Sequence, residues 1–435
     1  SVWAEPSATH LARLMRAARV NPPSAAEVQT GAEMIRTAHT WDIVAQKSNA
    51  AVERLIQARP NPPPRIGWVS TFNTRCGIAT YSAHLLRALP DQVTVLADHS
   101  DDLQQPDDHN LRRCWVQGKD DPLEELRATI AQENLQTIVI QFNYGFYNFA
   151  ALGRLILWLK ATGRQVVLMM HGTDDTPHLP ENRIAGLRAE LALCDRLLVH
   201  SVHDLNRLKQ LGLVDTVALF PHGVPDAAPL PAPALTPDRP FVLGTYGFLL
   251  PHKGYPELID ALALLRAEGR DVTLRMVNAQ YPAPVSADLA SALRDRVAEQ
   301  GLAAYVDLCT GFLEDKDSFQ RLSEADLLVF PYRPTTESAS GAVRQALAVS
   351  RPIATTPLPI FDDVAGLTVP LPGFSPAAMT AGLGQMIDEM RAGSPDGAVA
   401  RSLAHAAQWR QVTGYAPLAG RLWAMLCALH ADQTP

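Results

Sequence analysis

Glu337 and Gln345 lie eight residues apart in the stretch TTESASGAVRQALAVSRPIATTPLP. Glu337 is a lone carboxylate in a loop of small residues, and Gln345 stands early in a helical pattern that begins near Gly341. The first turn of a helix has unpaired backbone N–H groups and a partial positive charge. Small residues at 338–341 let a phosphate approach those groups closely. The spacing fits a diphosphate on the amides, a ribose near Gln345 and sugar hydroxyls near Glu337.

The same stretch also fits a purely structural role. Ser340 is a favourable N-cap for the helix that follows, and Glu337 would then be a solvated loop residue. The stretch alone leaves both interpretations open.

Two other loops carry residues suited to phosphate binding. In LGTYGFLLPHKGYPELIDALALL a predicted strand ends at Gly247, and Lys253 precedes an amphipathic helix. A lysine at the carboxyl end of a strand can hold phosphate as a point charge. In STFNTRCGIATYSAHLL, Gly77 opens a helix after the first predicted strand. The full G-x-G-x-x-G pattern is absent, so a dinucleotide site is not supported.

A histidine also stands at a predicted strand end. In VVLMMHGTDD, His171 follows a buried strand directly, and Asp174 lies three residues further on. A lone histidine is more often structural than catalytic. Because ligands of open α/β sheets bind at the carboxyl ends of strands, the position of His171 favours a functional role.

Strands and helices alternate through most of the chain and would place these residues together. Apolar runs such as RIGWVS, QTIVIQF and RQVVLMM alternate with helical stretches, and the alternation restarts at FVLGTYG after a proline-rich segment. Continuous apolar strands between helices indicate parallel sheets covered on both faces. The expected fold class is therefore α/β, with two doubly wound domains facing a cleft. The predicted segments are a helical extension (1–60), a first Rossmann-like domain (61–228), a linker (229–240), a second Rossmann-like domain (241–405) and C-terminal helices that can cross back to the first domain (406–435).

Composition excludes several classes of protein. The length of 435 residues suggests two domains, and the net charge of -7 argues against a nucleic-acid partner. The five cysteines are scattered without a zinc-binding spacing, which indicates a cytoplasmic protein. No apolar run approaches the roughly 20 residues of a membrane span. The basic face of Arg13, Arg16 and Arg19 fits a partner, the inner face of a membrane or plain solvation, and the start without Met suggests a piece of a longer chain.

The order and spacing of these motifs resemble a known family. C-G-I-A-T-Y, His171, FPHGV, HKG and the E-x7-Q of Glu337 and Gln345 together are similar to the retaining, nucleotide-sugar-dependent glycosyltransferases of family 4. The resemblance covers about residues 65 to 430. It implies the GT-B fold of two Rossmann-like domains, catalysis without a metal or cofactor, and a GDP- or UDP-linked donor such as GDP-mannose.

The resemblance also implies roles for individual residues. Glu337 would hold the donor sugar, and His171 would sit beside the reacting centre, which makes these two the expected catalytic residues. The donor would further contact six residues around the diphosphate and ribose: Gly77, Gly247, Lys253, Ser340, Gly341 and Gln345. The acceptor would face Asn143, Tyr144, Tyr147 and Asp174.

The chain departs from the family pattern at two donor-site positions. The second acidic residue is Gln345, whose amide nitrogen needs an acceptor of its own. The basic residue usual after the glycine of the second domain's first loop is Phe248, and Arg75, Arg333 or Arg344 could replace it.

The function implied by the resemblance is transfer of a hexose, of mannose or glucose type, to a saccharide or lipid-linked saccharide in polysaccharide or glycoconjugate synthesis. A non-catalytic GT-B scaffold, a nucleotide-sugar epimerase and a phosphorylase are the alternatives. The D-x-D of Asp315 to Asp317 is interpreted as a helix start capped by Asp317, since a metal site of that type belongs to another fold.

Overall fold

The computed structural model describes residues 8–38, 40–57, 63–90, 93–118, 120–176, 179–225, 230–335, 337 and 339–431. The chain divides into two compact units, one of residues 1–63 with 424–435 and the other of residues 64–423. In the part of the chain so described, no helix combines the length and the apolar character needed to cross a membrane.

The first unit is helical, as the sequence predicts for its N-terminal part. Its helices are α1 (Ala8–Val20), α2 (Ala25–Ala38) and α3 (Trp41–Gln57). A capping box starts α2, because Ser24 and Glu27 exchange side chain-to-backbone hydrogen bonds of 2.8 and 3.3 Å.

The second unit contains two parallel sheets. The first has seven strands in the order β3-β2-β1-β4-β5-β6-β7. Its strands are β1 (Ile66–Ser70), β2 (Val93–Asp98), β3 (Leu111–Trp115), β4 (Thr137–Phe142), β5 (Gln165–Met170), β6 (Arg196–Val199) and β7 (Val217–Leu219). All paired strands run parallel, and every residue of β4 and β5 is buried.

Helices between these strands cover the first sheet. They are α4 (Gly77–Leu86), α5 (Glu124–Gln132), α6 (Phe149–Ala161), α7 (Arg188–Leu191, preceded by a 3-10 turn at Ile184–Leu187) and α8 (Val202–Gln210). One continuous apolar core joins the sheet to α5, α6 and α8. Each βα connection therefore returns the chain to the same edge, where the strands end.

The second sheet repeats this arrangement with six strands in the order β10-β9-β8-β11-β12-β13. They are β8 (Phe241–Tyr246), β9 (Val272–Val277), β10 (Val306–Cys309), β11 (Leu327–Phe330), β12 (Ile353–Thr355) and β13 (Val369–Pro370). The helices that follow are α9 (Tyr255–Ala267), α10 (Pro284–Glu299), α11 (Asp315–Ser323), α12 (Gly341–Ala348), α13 (Pro376–Ala392), α14 (Ala398–Thr413) and α15 (Tyr415–Ala431), with 3-10 turns at Pro251–Lys253 and Pro359–Val364.

The two doubly wound parallel sheets confirm the predicted α/β class. β3 was not predicted, because Arg112 and Arg113 interrupt its apolar pattern, and β13 has only two residues. The predicted cap at Asp317 is wrong. Helix α11 begins at Asp315 with Glu314 as N-cap, and Ser318 N donates to Glu314 O at 2.9 Å.

The chain passes between the sheets at two adjacent backbone segments. Val224, after β7, pairs with the junction of α14 and α15, donating to Thr413 O at 3.0 Å and accepting from Tyr415 N at 3.1 Å. Gly223 leaves room for the Tyr415 ring, since a Cβ there would lie 2.5 Å from it. The domain limits drawn from the sequence stay predictions, and residues 226–229, where the linker would begin, lie outside the described residues.

Candidate active site

A cavity of about 920 Å³ lies where the strands of both sheets end. Residues of both halves line it, and eight of them are among the expected catalytic, donor and acceptor residues: Gly77, Asn143, His171, Gly247, Lys253, Glu337, Gly341 and Gln345. Ligands of open α/β sheets bind at such strand ends, so the location fits the predicted cleft.

Lys253 and Glu337 form an ion pair in this cavity. The Lys253 Nζ lies 2.9 Å from one carboxylate oxygen of Glu337, and the His252 Nε2 lies 3.2 Å from the other. Lys253 is buried and its Nζ stands 4.0 Å from the centre of the Tyr332 ring, whereas 42 % of the Glu337 side chain faces solvent. The site therefore holds two cationic or hydrogen-donating groups around one carboxylate that a ligand can reach.

The charges of this group shift its pKa values. Burial alone would raise the pKa of Glu337, but Lys253 and His252 outweigh it and hold that pKa well below its usual range. Burial alone would lower the pKa of Lys253, but Glu337 and Tyr332 outweigh this effect, and the pKa is raised overall. Both groups are thus charged near neutral pH.

A glycine fixes the Lys253 loop against the loop after β11. Gly254 has a φ of +71°, and a Cβ at this position would lie 1.9 Å from the carbonyl oxygen of Pro331. Only glycine fits both the left-handed backbone and the close approach. Lys253 is therefore held beside the segment that carries Glu337.

The N-terminus of α12 forms the adjoining wall. Ser340 is its N-cap, with an Oγ that accepts from Val343 N at 3.3 Å and lies 3.0 Å from the Tyr332 hydroxyl. Ser340 is 2 % exposed and does not line the cavity, so its side chain has the structural role that the sequence left open. Gly341 and Ala342 line the cavity at the first helical turn, where backbone N–H groups favour an anion.

Gln345 connects the two halves. Its Nε2 lies 3.2 Å from the Nε2 of His84 on α4, and that nitrogen is also 3.3 Å from Asp315 on α11. Because the amide nitrogen can only donate, His84 accepts, which supplies the acceptor that the sequence required. The Oε1 of Gln345 is buried without a hydrogen-bond partner among the described residues. This oxygen is available to a ligand hydroxyl.

Three histidines, of which His200 and His222 are buried and His171 is half-buried, surround Tyr81 in the cavity. The His171, His200 and His222 rings lie 5.0, 5.3 and 4.8 Å from the Tyr81 ring. Burial lowers the pKa of each histidine, in His200 to about 4, so all three are neutral near pH 7. Among the described residues, no group of histidines, cysteines and carboxylates is arranged to hold a metal ion.

The hydrogen bonds of two of these histidines define which ring nitrogen can accept a further hydrogen bond. The His171 Nε2 donates to Gln141 Oε1 at 2.8 Å, which leaves Nδ1 as the acceptor. The His200 Nδ1 donates to Phe220 O at 2.9 Å, and its Nε2 is buried without a partner in the described structure. Two neutral imidazoles thus offer acceptor nitrogens at the base of the site.

Three of the expected acceptor residues lie elsewhere. Tyr144 is packed into the core, and its hydroxyl donates to Thr173 O at 2.8 Å. Tyr147 is fully buried and bonds to Gln141 O. Asp174 pairs with His203 at 2.9 Å and, like the two tyrosines, does not line the cavity. Burial and pairing remove these side chains from the cleft, and Asn143 alone of the four lines it.

One of the three arginines that could replace the missing cation lines the cavity. Arg75 is paired with Asp102, and Arg333 lies beside Glu257 with 59 % of its side chain exposed. Arg344 is buried on α12, lines the cavity, and donates from Nη1 to Ser340 O at 2.7 Å. Its Nη2 faces Asp363, and burial lowers its pKa to about 10, so it remains a cation at neutral pH.

Phe248 belongs to an aromatic group on the cavity wall. Its ring lies 5.4 Å from Tyr281 and 6.1 Å from Phe312, and Phe312 is 39 % exposed. All three residues line the cavity at the ends of β8, β9 and β10. This wall offers ring faces in place of a charge, which suits a planar ligand group.

Several residues of the site were not identified from the sequence. They are Tyr81, His84, His200, His222 and Tyr415. His200 and His222 follow strands just as His171 does, so the same strand-end rule could have found them. Tyr81, His84 and Tyr415 lie on helices; Tyr81 ends the C-G-I-A-T-Y motif, whereas no local pattern marks His84 and Tyr415.

Comparisons with known proteins agree with this geometry. Residues 240–389, about a third of the chain, match the family model described as glycosyl transferases group 1. The solved structures similar to the chain include Anabaena Alr3699/HepE in complex with UDP and glucose, with a TM-score of 0.64, 14 % identity and coverage of 83 % of this chain and 99 % of that one. The fold is GT-B.

Two further GT-B structures are similar over the same extent. Sucrose-phosphate synthase from Thermosynechococcus elongatus has a TM-score of 0.63 and 15 % identity, and covers 84 % of this chain and 99 % of its own. A UDP-forming α,α-trehalose-phosphate synthase from Burkholderia vietnamiensis has a TM-score of 0.62 and 11 % identity. The match covers 85 % of this chain and 99 % of the synthase chain. No curated protein sequence matches the chain significantly.

Proposed function

We propose that this protein is a retaining, metal-independent glycosyltransferase that moves a hexose from a nucleotide-sugar donor to a saccharide acceptor in polysaccharide or glycoconjugate synthesis. The observation that carries the proposal is the meeting of Lys253, Glu337 and the N-terminus of α12 in one cavity between two parallel sheets. A diphosphate leaving group needs that combination of an ammonium and exposed peptide N–H groups.

Each part of the cavity suits one part of the donor. The diphosphate would lie between Lys253 and the first turn of α12, with Arg344 as the second cation. Glu337 would accept hydrogen bonds from the sugar hydroxyls, and the free Oε1 of Gln345 from a ribose hydroxyl. The base would stack on the wall around Phe248. We favour uridine over guanosine, since HepE was solved with UDP and the trehalose-phosphate synthase is UDP-forming.

The reaction follows from this placement. The bond from the anomeric carbon to the diphosphate oxygen breaks, and its electron pair leaves with the phosphate. The acceptor oxygen attacks the anomeric carbon from the same face, and its proton passes to the departing phosphate oxygen. His171, neutral and fixed by Gln141, would orient a sugar hydroxyl with Nδ1. The positive groups stabilise the leaving charge, an effect that is worth about 3 kcal/mol per donor in similar sites.

Sugar transfer from UDP-, GDP- and dTDP-hexoses to saccharide acceptors, assayed without added metal and with a chelator, tests the proposal. Glu337→Gln should lower turnover at least about a hundredfold, given an interaction of about 3 kcal/mol. The control Glu299→Gln changes an exposed carboxylate at the end of α10 and should retain activity. Turnover of Glu337→Gln within threefold of the parent would contradict the assigned role.

A non-catalytic scaffold is the second candidate, and Phe248 in place of a basic residue favours it. Calorimetry separates the two functions, because a scaffold would give no heat with any nucleotide or nucleotide sugar at millimolar concentration. Conversion of a donor sugar in the absence of acceptor would instead show an epimerase, and a pyridoxal absorbance band a phosphorylase.

A further inference from the structure

Helix α1 has one apolar and one basic face, and both are exposed. At 100° per residue Leu11, Leu14 and Met15 fall on one side of the helix, and the exposed fractions of these residues are 53, 53 and 65 %. Arg13 and Arg16 fall on the opposite side, Arg19 lies at the edge of the apolar side four residues after Met15, and all three are exposed as well. Such a stripe of large apolar side chains is stabilised when a partner covers it.

The charge of α1 indicates what that partner is. The helix carries three arginines and no carboxylate, although the whole chain has a net charge of -7. Basic amphipathic helices bind anionic lipid surfaces, with the apolar side chains among the acyl chains and the basic ones at the headgroups. A second copy of α1 would cover the apolar stripe but would leave the arginines, which no carboxylate of the helix neutralises, without an anionic partner.

The start of α3 supplies an independent observation. Trp41 is 88 % exposed, and tryptophan favours the boundary between lipid and water, where its ring is buried and its N–H stays hydrated. On α2, Val28 and Ile35 lie seven residues apart on one face and are both 56 % exposed. The N-terminal helices thus present apolar side chains at several points.

We infer that α1 binds the surface of a membrane containing anionic lipids and holds the protein there as a peripheral protein. The inference does not depend on the proposed function, because it uses only the residues of the N-terminal helices.

Sedimentation of the full chain with phosphatidylcholine vesicles, with and without about a third of phosphatidylglycerol, tests the inference. We expect binding to the anionic vesicles at least about tenfold stronger than to the neutral ones, and weaker at high salt. Replacing Arg13, Arg16 and Arg19 by Gln should weaken binding to the anionic vesicles at least about tenfold. Leu14→Asp should weaken it by a similar factor.

A matched control replaces three exposed arginines elsewhere, Arg154, Arg294 and Arg401, by Gln and changes the net charge equally. This control should bind as the parent does. Equal binding to both vesicle types, or an α1 variant within twofold of the parent, would overturn the inference. A reversible dimer that Leu14→Asp dissociates, without vesicle binding by the parent, would assign the face to a second copy. Circular dichroism and thermal unfolding confirm that each variant is folded.

Discussion

The amide nitrogen of Gln345 lies 3.2 Å from the Nε2 of His84, and this contact joins α12 of one parallel sheet to α4 of the other. The two residues are 261 positions apart in the chain. The amide nitrogen can donate in this contact, which an ionised carboxylate at position 345 could not do, and the amide oxygen is left without a partner among the described residues. Glutamine in place of the family's acidic residue at position 345 thus has a hydrogen-bond partner, His84, and is compatible with a working site.

Gln345→Glu should strengthen nucleoside diphosphate binding about threefold to tenfold. A carboxylate accepts from hydroxyls more strongly than an amide oxygen, by about 1 kcal/mol. Titration calorimetry with UDP measures the change, and His84→Ala serves as the comparison because it removes the partner and leaves the amide. Unchanged affinity in Gln345→Glu would mean that position 345 does not contact the ribose.

Lys253→Met should lower kcat/KM for the donor by about two orders of magnitude, since an ammonium that receives a leaving phosphate contributes about 3 kcal/mol. The effect on stability should be small, because the remaining Glu337 carboxylate is 42 % exposed and stays hydrated. Steady-state kinetics measure kcat/KM for the donor, and thermal unfolding measures the stability of the variant. Lys209→Met on α8 is the control, and a comparable loss in that variant would refute a specific role for Lys253.

Arg344→Met should destabilise the fold by about 3 kcal/mol, because it leaves the Asp363 carboxylate near the core without a cation. The double variant with Asp363→Asn should recover at least half of that loss. UDP affinity should stay at least about tenfold below the parent in both variants, if Arg344 is the second diphosphate cation. Denaturant unfolding and calorimetry separate the two effects, and full recovery of UDP binding in the double variant would limit Arg344 to a structural role.

Gly254→Ala should lower the free energy of unfolding by at least about 2 kcal/mol more than Gly269→Ala. Both glycines have positive φ values, +71° and +83°, so both alanines carry backbone strain of about 1 kcal/mol. A Cβ at position 254 also meets Pro331 O, whereas position 269 is open. Urea denaturation of the two variants measures the difference. Equal destabilisation would show that the Lys253 loop moves away at little cost.

Stability should rise with pH between about pH 4 and pH 6.5 because of the buried histidines. The folded-state pKa of His200 is about 4 against an ordinary 6.5, so the unfolded chain binds more protons in this window and folding weakens as the pH falls. His200→Gln should flatten this slope. Unfolding free energies over the window check this, and an equal slope in the parent and the variant would contradict it.

The sequence predicted the fold well because its strands are buried on both faces and read as continuous apolar runs. It failed at β3, where arginines stand in a strand that is half exposed. Residues that follow a strand, such as His171 and Lys253, line the cavity where the strand-end rule places them, and their roles stay predictions. Lining residues were not predicted where a helix face meets another part of the chain, as for Tyr415 against His84, whose rings stack at 4.9 Å.

Two of the expected acceptor residues do not line the cavity, and both cases have the same physical cause. Tyr144 and Asp174 follow strands β4 and β5 closely, which places their backbone near the cleft but does not fix the side-chain direction. Tyr144 turns into the core beside Phe142 and Phe149, and Asp174 turns toward Arg207 on α8. Strand position predicts which residues are near a cleft, and packing decides which of them face it.

The pairing of Val224 with Thr413 and Tyr415 joins the segment after β7 to the junction between α14 and α15. The lengths of the segments on either side of it are consequently not independent, because one residue inserted near Val224 would offset both hydrogen bonds and withdraw the Tyr415 ring from the space above Gly223. Homologous chains that keep this pairing should therefore vary in length within their peripheral loops and not at this crossing.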